Sequence, residues 1–112
     1  MTFDAEIVVR ASGRLVQDTL YHDGREPRDW DAQDVRAVLT LMLLAVDRGA
    51  TGVQDVARPV ALRGLSWIVS PFDEGSAIAI EIPSGSVVAG PFDIAEPELS
   101  ALIARTIAED AA

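Results

Sequence analysis

The feature that most constrains the fold is a long apolar stretch that predicts a helix from Asp31 to Arg48. Asp31 is a favourable N-cap, and Gly49 is a residue type that commonly follows the end of a helix. When successive residues are placed about 100° apart, the apolar arc of this helix spans about 260°. A helix that buries a single face needs an arc only a little wider than about 100°. The sequence therefore predicts a helix that is covered on two sides.

Two arrangements would cover this helix on both sides. The helix could form the middle of a three-layer core. Alternatively, its outer side could pack against a second copy of the chain, because large exposed apolar patches mark interfaces. In the second arrangement the candidate interface residues are Ala37, Leu41 and Leu44.

Two strand patterns precede the helix. Residues Phe3–Ala11 alternate between apolar and polar side chains, and Arg14–Tyr21 returns as a second strand after the tight turn Ser12-Gly13. In a hairpin with a two-residue turn, Asp18 falls on the apolar face. A lone buried acid is costly, so we expect a bulge or a longer turn that rotates Asp18 outward.

The second half of the chain predicts further strands and another helix. Strand candidates lie at Val60–Arg63, Leu65–Ser70, Ser76–Ile82 and Val87–Phe92, and a helix with one apolar face begins near Pro97. The element order is β-β-α-β-β-(β)-α, within a single domain of residues 1–112. This order predicts an α+β fold with one mostly antiparallel β-sheet and two helices.

In its order of elements, over Ala5–Ala108, the chain resembles the profilin-type domains of the roadblock class. The first helix of that class is missing here. The resemblance implies a dimer that serves as a scaffold for small GTPases.

The composition excludes several classes of partner and chemistry. The formal net charge of −9 opposes binding to nucleic acid and to anionic membranes. The longest unbroken apolar run, Leu41–Val46, is far shorter than the ~20 residues that span a bilayer. We therefore expect a cytoplasmic protein. The absence of lysine, asparagine and cysteine suggests a bacterial genome of high GC content, and it rules out Schiff-base and thiol chemistry.

One short repeat is the best candidate for a polar site. Pro71-Phe72-Asp73 recurs as Pro91-Phe92-Asp93, each time after an apolar strand. If both strands flank Ser76–Ile82, both corners lie at one end of the sheet, and Asp73, Glu74 and Asp93 form a polar rim. Carboxylates suit Ca²⁺ or Mg²⁺, but a structural role is favoured, because proline ends strands and aspartate starts turns. We predict no metal and no cofactor.

These observations favour a non-enzymatic protein-interaction or regulatory domain that acts as a homodimer. A first alternative is an acidic inhibitor, immunity protein or chaperone that covers a basic partner. A second alternative is a small carboxylate-dependent hydrolase or isomerase that uses Asp73 and Asp93, with Glu81 or His22. That enzyme would need a concave pocket beside the repeat and a carboxyl group with a raised pKa.

Overall fold

The computed structural model describes residues 1–51 and 61–111, which form five strands and two α-helices. The strands are β1 (Thr2–Val9), β2 (Arg14–Tyr21), β3 (Ser66–Phe72), β4 (Gly75–Ile82) and β5 (Gly85–Phe92). The helices are α1 (Ala32–Thr51) and α2 (Glu96–Ala111), and a short 3₁₀ helix (Pro27–Asp29) precedes α1. The strands pair antiparallel in the order β2-β1-β5-β4-β3. The predicted α+β class with one antiparallel sheet is confirmed.

The core lies between one face of the sheet and the two helices. Alternate residues of β1 are buried, as the sequence pattern predicts: Phe3, Ala5, Ile7 and Val9. Helix α1 packs over β1, β5 and β2, while α2 packs over β3 and β4 and against α1. In the described part of the chain no element covers the opposite face of the sheet, so α1 belongs to an outer layer and is not the middle of a three-layer core. Neither described helix has the length and apolar character needed to cross a bilayer.

Helix α1 begins as predicted but ends later. The Asp31 side chain accepts hydrogen bonds from the backbone N–H groups of Gln33 (2.9 Å) and Asp34 (3.1 Å), which is N-cap geometry. The helix then continues through Gly49, which the sequence predicted as its stop. A Cβ atom at Gly49 would lie 3.1 Å from a methyl carbon of Val9. Glycine at this position therefore allows α1 to approach β1 closely.

The β1–β2 hairpin corrects the predicted position of Asp18. Val9 pairs with Arg14, so four residues form the connection in place of the predicted two. The register moves by two residues, and a shift of two leaves every side chain on its original face. Asp18 pairs with Ala5 and stays on the core side, where Arg48 of α1 contacts its carboxylate at 2.9 Å. Asp18 is thus paired with a cation, and the expectation that it rotates outward is wrong.

The segment before β3 is attached to both helices through one carboxylate. Residues 61–63 contain no strand, contrary to the prediction for Val60–Arg63, and residue 60 lies outside the described residues. The Leu62 side chain is buried, and its backbone N–H donates to Asp110 Oδ2 at 2.9 Å. The other oxygen of Asp110, near the end of α2, accepts a hydrogen bond from Arg36 of α1. Asp110 therefore links three parts of the fold.

Candidate functional site

The outer side of β2 is a free sheet edge. Among the described strands, β2 has β1 as its one neighbour. The Thr19 N–H donates to Asp18 Oδ1 at 2.9 Å, so it faces away from β1. Since backbone direction alternates along a strand, the N–H groups of Leu15 and Gln17 also face outward. Such an edge is a template for pairing with another strand unless it is blocked.

The two edges of the sheet differ in how well they are protected. Strand β2 contains no proline, and its eight residues pair regularly with β1. The opposite edge strand, β3, contains Pro71, which cannot donate a backbone hydrogen bond. The β2 edge is therefore the more exposed template for a further strand.

The predicted interface residues of α1 lie beside this edge. Ala37, Leu41, Leu44 and Arg48 are spaced at helical intervals, so they form one stripe along α1. Arg48 reaches Asp18 of β2, which places the stripe on the β2 side of the helix. Arg36, on the other side of α1, reaches Asp110 of α2. The stripe therefore faces away from α2.

The stripe is largely covered within the chain. Leu44 is 9% exposed, and Ala37 and Leu41 are half-buried, with Leu41 packed against the core. Of residues 32–49, Gln33 and Arg36 are the exposed ones. The wide apolar arc is thus mostly buried, and the role of Ala37, Leu41 and Leu44 in an interface stays a prediction.

The structure also contains a buried polar pair that the sequence did not indicate. His22 Nε2 lies 3.1 Å from Asp34 Oδ1, and both side chains are less than 10% exposed. Asp23, which follows His22 in sequence, is exposed instead. A Cβ atom at Gly24 would collide with Asp34 Oδ1, so glycine is required where the chain passes the pair. Trp30 packs edge-on to the His22 ring at a centroid distance of 6.0 Å.

Asp34 is stabilised in its charged form. Burial by itself would raise the pKa of Asp34. Backbone N–H donors from Asp31 and Arg25, both at 3.2 Å, and the contact with His22 outweigh that effect and lower the pKa below its ordinary value. Asp34 is therefore a structural anion at the start of α1. A carboxyl group that acts as a general acid needs the opposite shift.

The three rim residues do lie at one end of the sheet. Asp73, Glu74 and Asp93 line a shallow depression of about 330 Å³ together with Gly75, Pro91 and Phe92. The two copies of the repeat differ in burial, because Phe92 is 1% exposed and Phe72 is 51% exposed. Asp73 and Glu74 adopt positive φ angles in the turn between β3 and β4, and Asp93 pairs with Arg28.

The other residues of the hydrolase hypothesis lie apart from this rim. Glu81 is on the open face of the sheet, where its carboxylate lies 3.8 Å from Arg10, and His22 is buried against Asp34. Across residues 1–51 and 61–111, no three acidic or histidine side chains are grouped closely enough to hold a metal ion. The described structure therefore does not assemble a carboxylate centre from these candidates.

Comparisons of the chain with protein-family models, with curated proteins and with solved structures found no match.

Proposed function

We propose that this chain is a non-enzymatic protein-interaction domain that acts as a homodimer, formed when the β2 edges of two copies pair antiparallel. The observation that supports this proposal is the regular, proline-free outer edge of β2 beside an apolar stripe of α1 in which Ala37 and Leu41 are half-buried. A two-fold axis makes the contact self-complementary, which is the commonest symmetry of soluble oligomers.

The side chains of β2 favour one register for this pairing. The Thr19 N–H is already bonded to Asp18, so the paired region should avoid Thr19. A two-fold axis at Val16 does so, because it places Leu15 opposite Gln17 of the second copy. It also places Arg14 opposite Asp18 on the same face of the combined sheet. Two ion pairs and two outward N–H groups from each chain then contribute to the interface.

The same axis directs the α1 stripes of the two copies towards each other. Val16 is half-buried at the core edge of β2, and Leu41 is half-buried on the adjoining side of α1. Pairing would extend the apolar layer between sheet and helices from one copy into the next. That extension would cover the remaining exposed part of Ala37 and Leu41.

Light scattering coupled to size-exclusion chromatography tests the dimer. The wild-type chain should elute with twice its mass of 11.9 kDa. Gln17→Pro removes an outward N–H without affecting the backbone hydrogen bonds to β1, so it should give a folded monomer. Thr19→Pro is the matched control, because its N–H also faces outward but lies beyond the proposed register.

Arg14→Glu provides a second test that does not change the backbone. Arg14 is exposed, and the substitution would place two carboxylates opposite each other at both ends of the pairing. We expect at least tenfold weaker dimerisation, with an unchanged circular dichroism spectrum. A wild-type monomer at micromolar concentration, or a Gln17→Pro dimer as tight as the wild type, would refute the proposal.

A further inference from the structure

The open face of the sheet carries an apolar strip that crosses all five strands. Leu15 of β2 lies opposite Val8 of β1, and Val8 lies diagonal to Val88 of β5. Val88 lies opposite Ala79 of β4, which in turn lies opposite Ile68 of β3. These five residues form what we call the open-face strip.

The large side chains of the open-face strip are exposed in the described structure. The exposed fractions are 59% for Leu15, 40% for Val8, 46% for Val88 and 61% for Ile68. A depression of about 370 Å³ lies over β3, β4 and β5, and Ile68, Ala79 and Val88 line it. Glu6 lies directly opposite Val88, and Ser86 lies directly opposite Val8, so polar residues border the strip between β1 and β5. Exposed apolar patches rimmed by polar residues mark interaction sites.

The dimensions of the strip match an α-helix. Neighbouring strands are about 4.8 Å apart, so the strip from β2 to β3 is roughly 20 Å long. An α-helix of four turns has about the same length, and its apolar side chains recur every 5.4 Å or so. Each turn of such a helix would therefore lie over about one strand of the sheet.

The charges beside the strip determine the chemistry of the partner. In the described strands this face carries the carboxylates of Asp4, Glu6 and Glu81. Glu81 lies near Arg10, while Asp4 and Glu6 have hydrogen bonds to the neutral side chains of Thr19 and Gln17. The whole chain has a formal charge of −9. A second copy on this face would bring like charges together, whereas a basic segment would be attracted.

We infer that the open face of the sheet binds a basic amphipathic helix of a partner protein, with the apolar side of that helix on the open-face strip and its basic side chains near Asp4 and Glu6. This site is independent of the proposed dimer, because β2 edge pairing leaves the open face uncovered. An experiment that refutes helix binding on the open face therefore leaves the proposed β2 dimer untouched, and the reverse also holds.

The experiment uses the full chain and three synthetic 16-residue peptides. The first has leucine along one helical face and arginine elsewhere, the second replaces arginine with glutamate, and the third is a scrambled version of the first. Binding is measured by fluorescence anisotropy, and the contact surface is mapped by amide chemical shifts in NMR. We expect the first peptide alone to bind, to shift residues of the open-face strip, and to bind more weakly as salt rises.

Neutral variants identify the surface without changing the charge. The double variant Ile68→Ser with Val88→Ser should weaken binding at least tenfold. Phe72→Ser is the matched control, because Phe72 is likewise exposed (51%) but lies about 13 Å further along β3 than Ile68. Circular dichroism confirms that each variant is folded.

Several results would overturn the inference. Shifts confined to another surface, equal binding of the acidic peptide, or no binding of the basic peptide at millimolar concentration would each do so. A tetramer that the Ile68→Ser, Val88→Ser variant dissociates would also overturn it, by showing that a second copy covers this face instead.

Discussion

Replacement of Asp34 by alanine should destabilise the fold strongly, because it leaves His22 buried without its anionic partner. The Asp34 carboxylate has contacts with His22 Nε2 at 3.1 Å and with the backbone N–H groups of Arg25 and Asp31 at 3.2 Å. Removing the charged acceptor of a buried hydrogen bond costs about 1.5–3 kcal/mol. The Arg25 and Asp31 N–H groups lie nearer to solvent and can bond to water instead. We therefore expect a loss of about 3 kcal/mol, mostly from the buried contact with His22.

Urea denaturation at pH 7, followed by tryptophan fluorescence, measures this loss. Trp30 packs against His22 and therefore reports on the region directly. Asp23→Ala is the control, because Asp23 is adjacent to His22 in sequence but exposed, and it should change the free energy of unfolding by less than about 0.5 kcal/mol. The reasoning fails if Asp34→Ala costs less than about 1 kcal/mol, or if the two variants are equally destabilised.

The burial and charge of single side chains give three further predictions. The folded-state pKa of Asp34 is lowered, so its stabilisation is present above the unfolded pKa of about 3.9 and is lost as pH falls through the folded value. The test compares His22→Gln with the double variant His22→Gln, Asp34→Asn. The difference between their free energies of unfolding should shrink as the pH falls from 7 to 2. A difference that stays constant contradicts the lowered pKa of Asp34. Phe92→Ala should cost about 3–5 kcal/mol in urea denaturation and Phe72→Ala less than about 1 kcal/mol, and equal costs would contradict their different burial. Leu44→Glu should leave little folded protein by circular dichroism, because it buries a charge, whereas a folded monomer would mean that Leu44 is an interface residue.

The sequence predicted the five strands and two helices well because each of them has a short-range signal, whereas the strand predicted at Val60–Arg63 is not formed at residues 61–63. Alternation in β1 reports its buried face directly, and Asp31 marks the start of α1 through a hydrogen-bond acceptor at the N-cap. The end of α1 was harder to predict from the sequence. Gly49 is compatible both with a helix stop and with close packing of a helix on a strand, and the choice depends on Val9, 40 residues earlier.

The contacts that the sequence did not predict are those between distant residues. His22 lies in the loop after β2 and Asp34 lies in α1, twelve residues later, so no periodic pattern connects them. Asp18 was expected outside because its partner, Arg48, is thirty residues away on α1. A signal did exist for the first pair, since Asp34 lies three residues after an N-cap and Gly24 lies in the preceding turn. That signal identified the start of a helix, but it did not identify His22 as the partner of Asp34.

The position of Asp110 has a consequence for how the molecule opens. Helix ends usually fray, with local opening that costs far less than global unfolding. The Asp110 side chain is 8% exposed and is bonded to both Arg36 and the Leu62 backbone, so the final turn of α2 cannot separate without breaking its contacts to α1 and to the segment before β3. The amide hydrogens of that turn should therefore exchange more slowly than those of a frayed helix end. The last turn of α2 should then unfold together with the rest of the fold and should not fray independently.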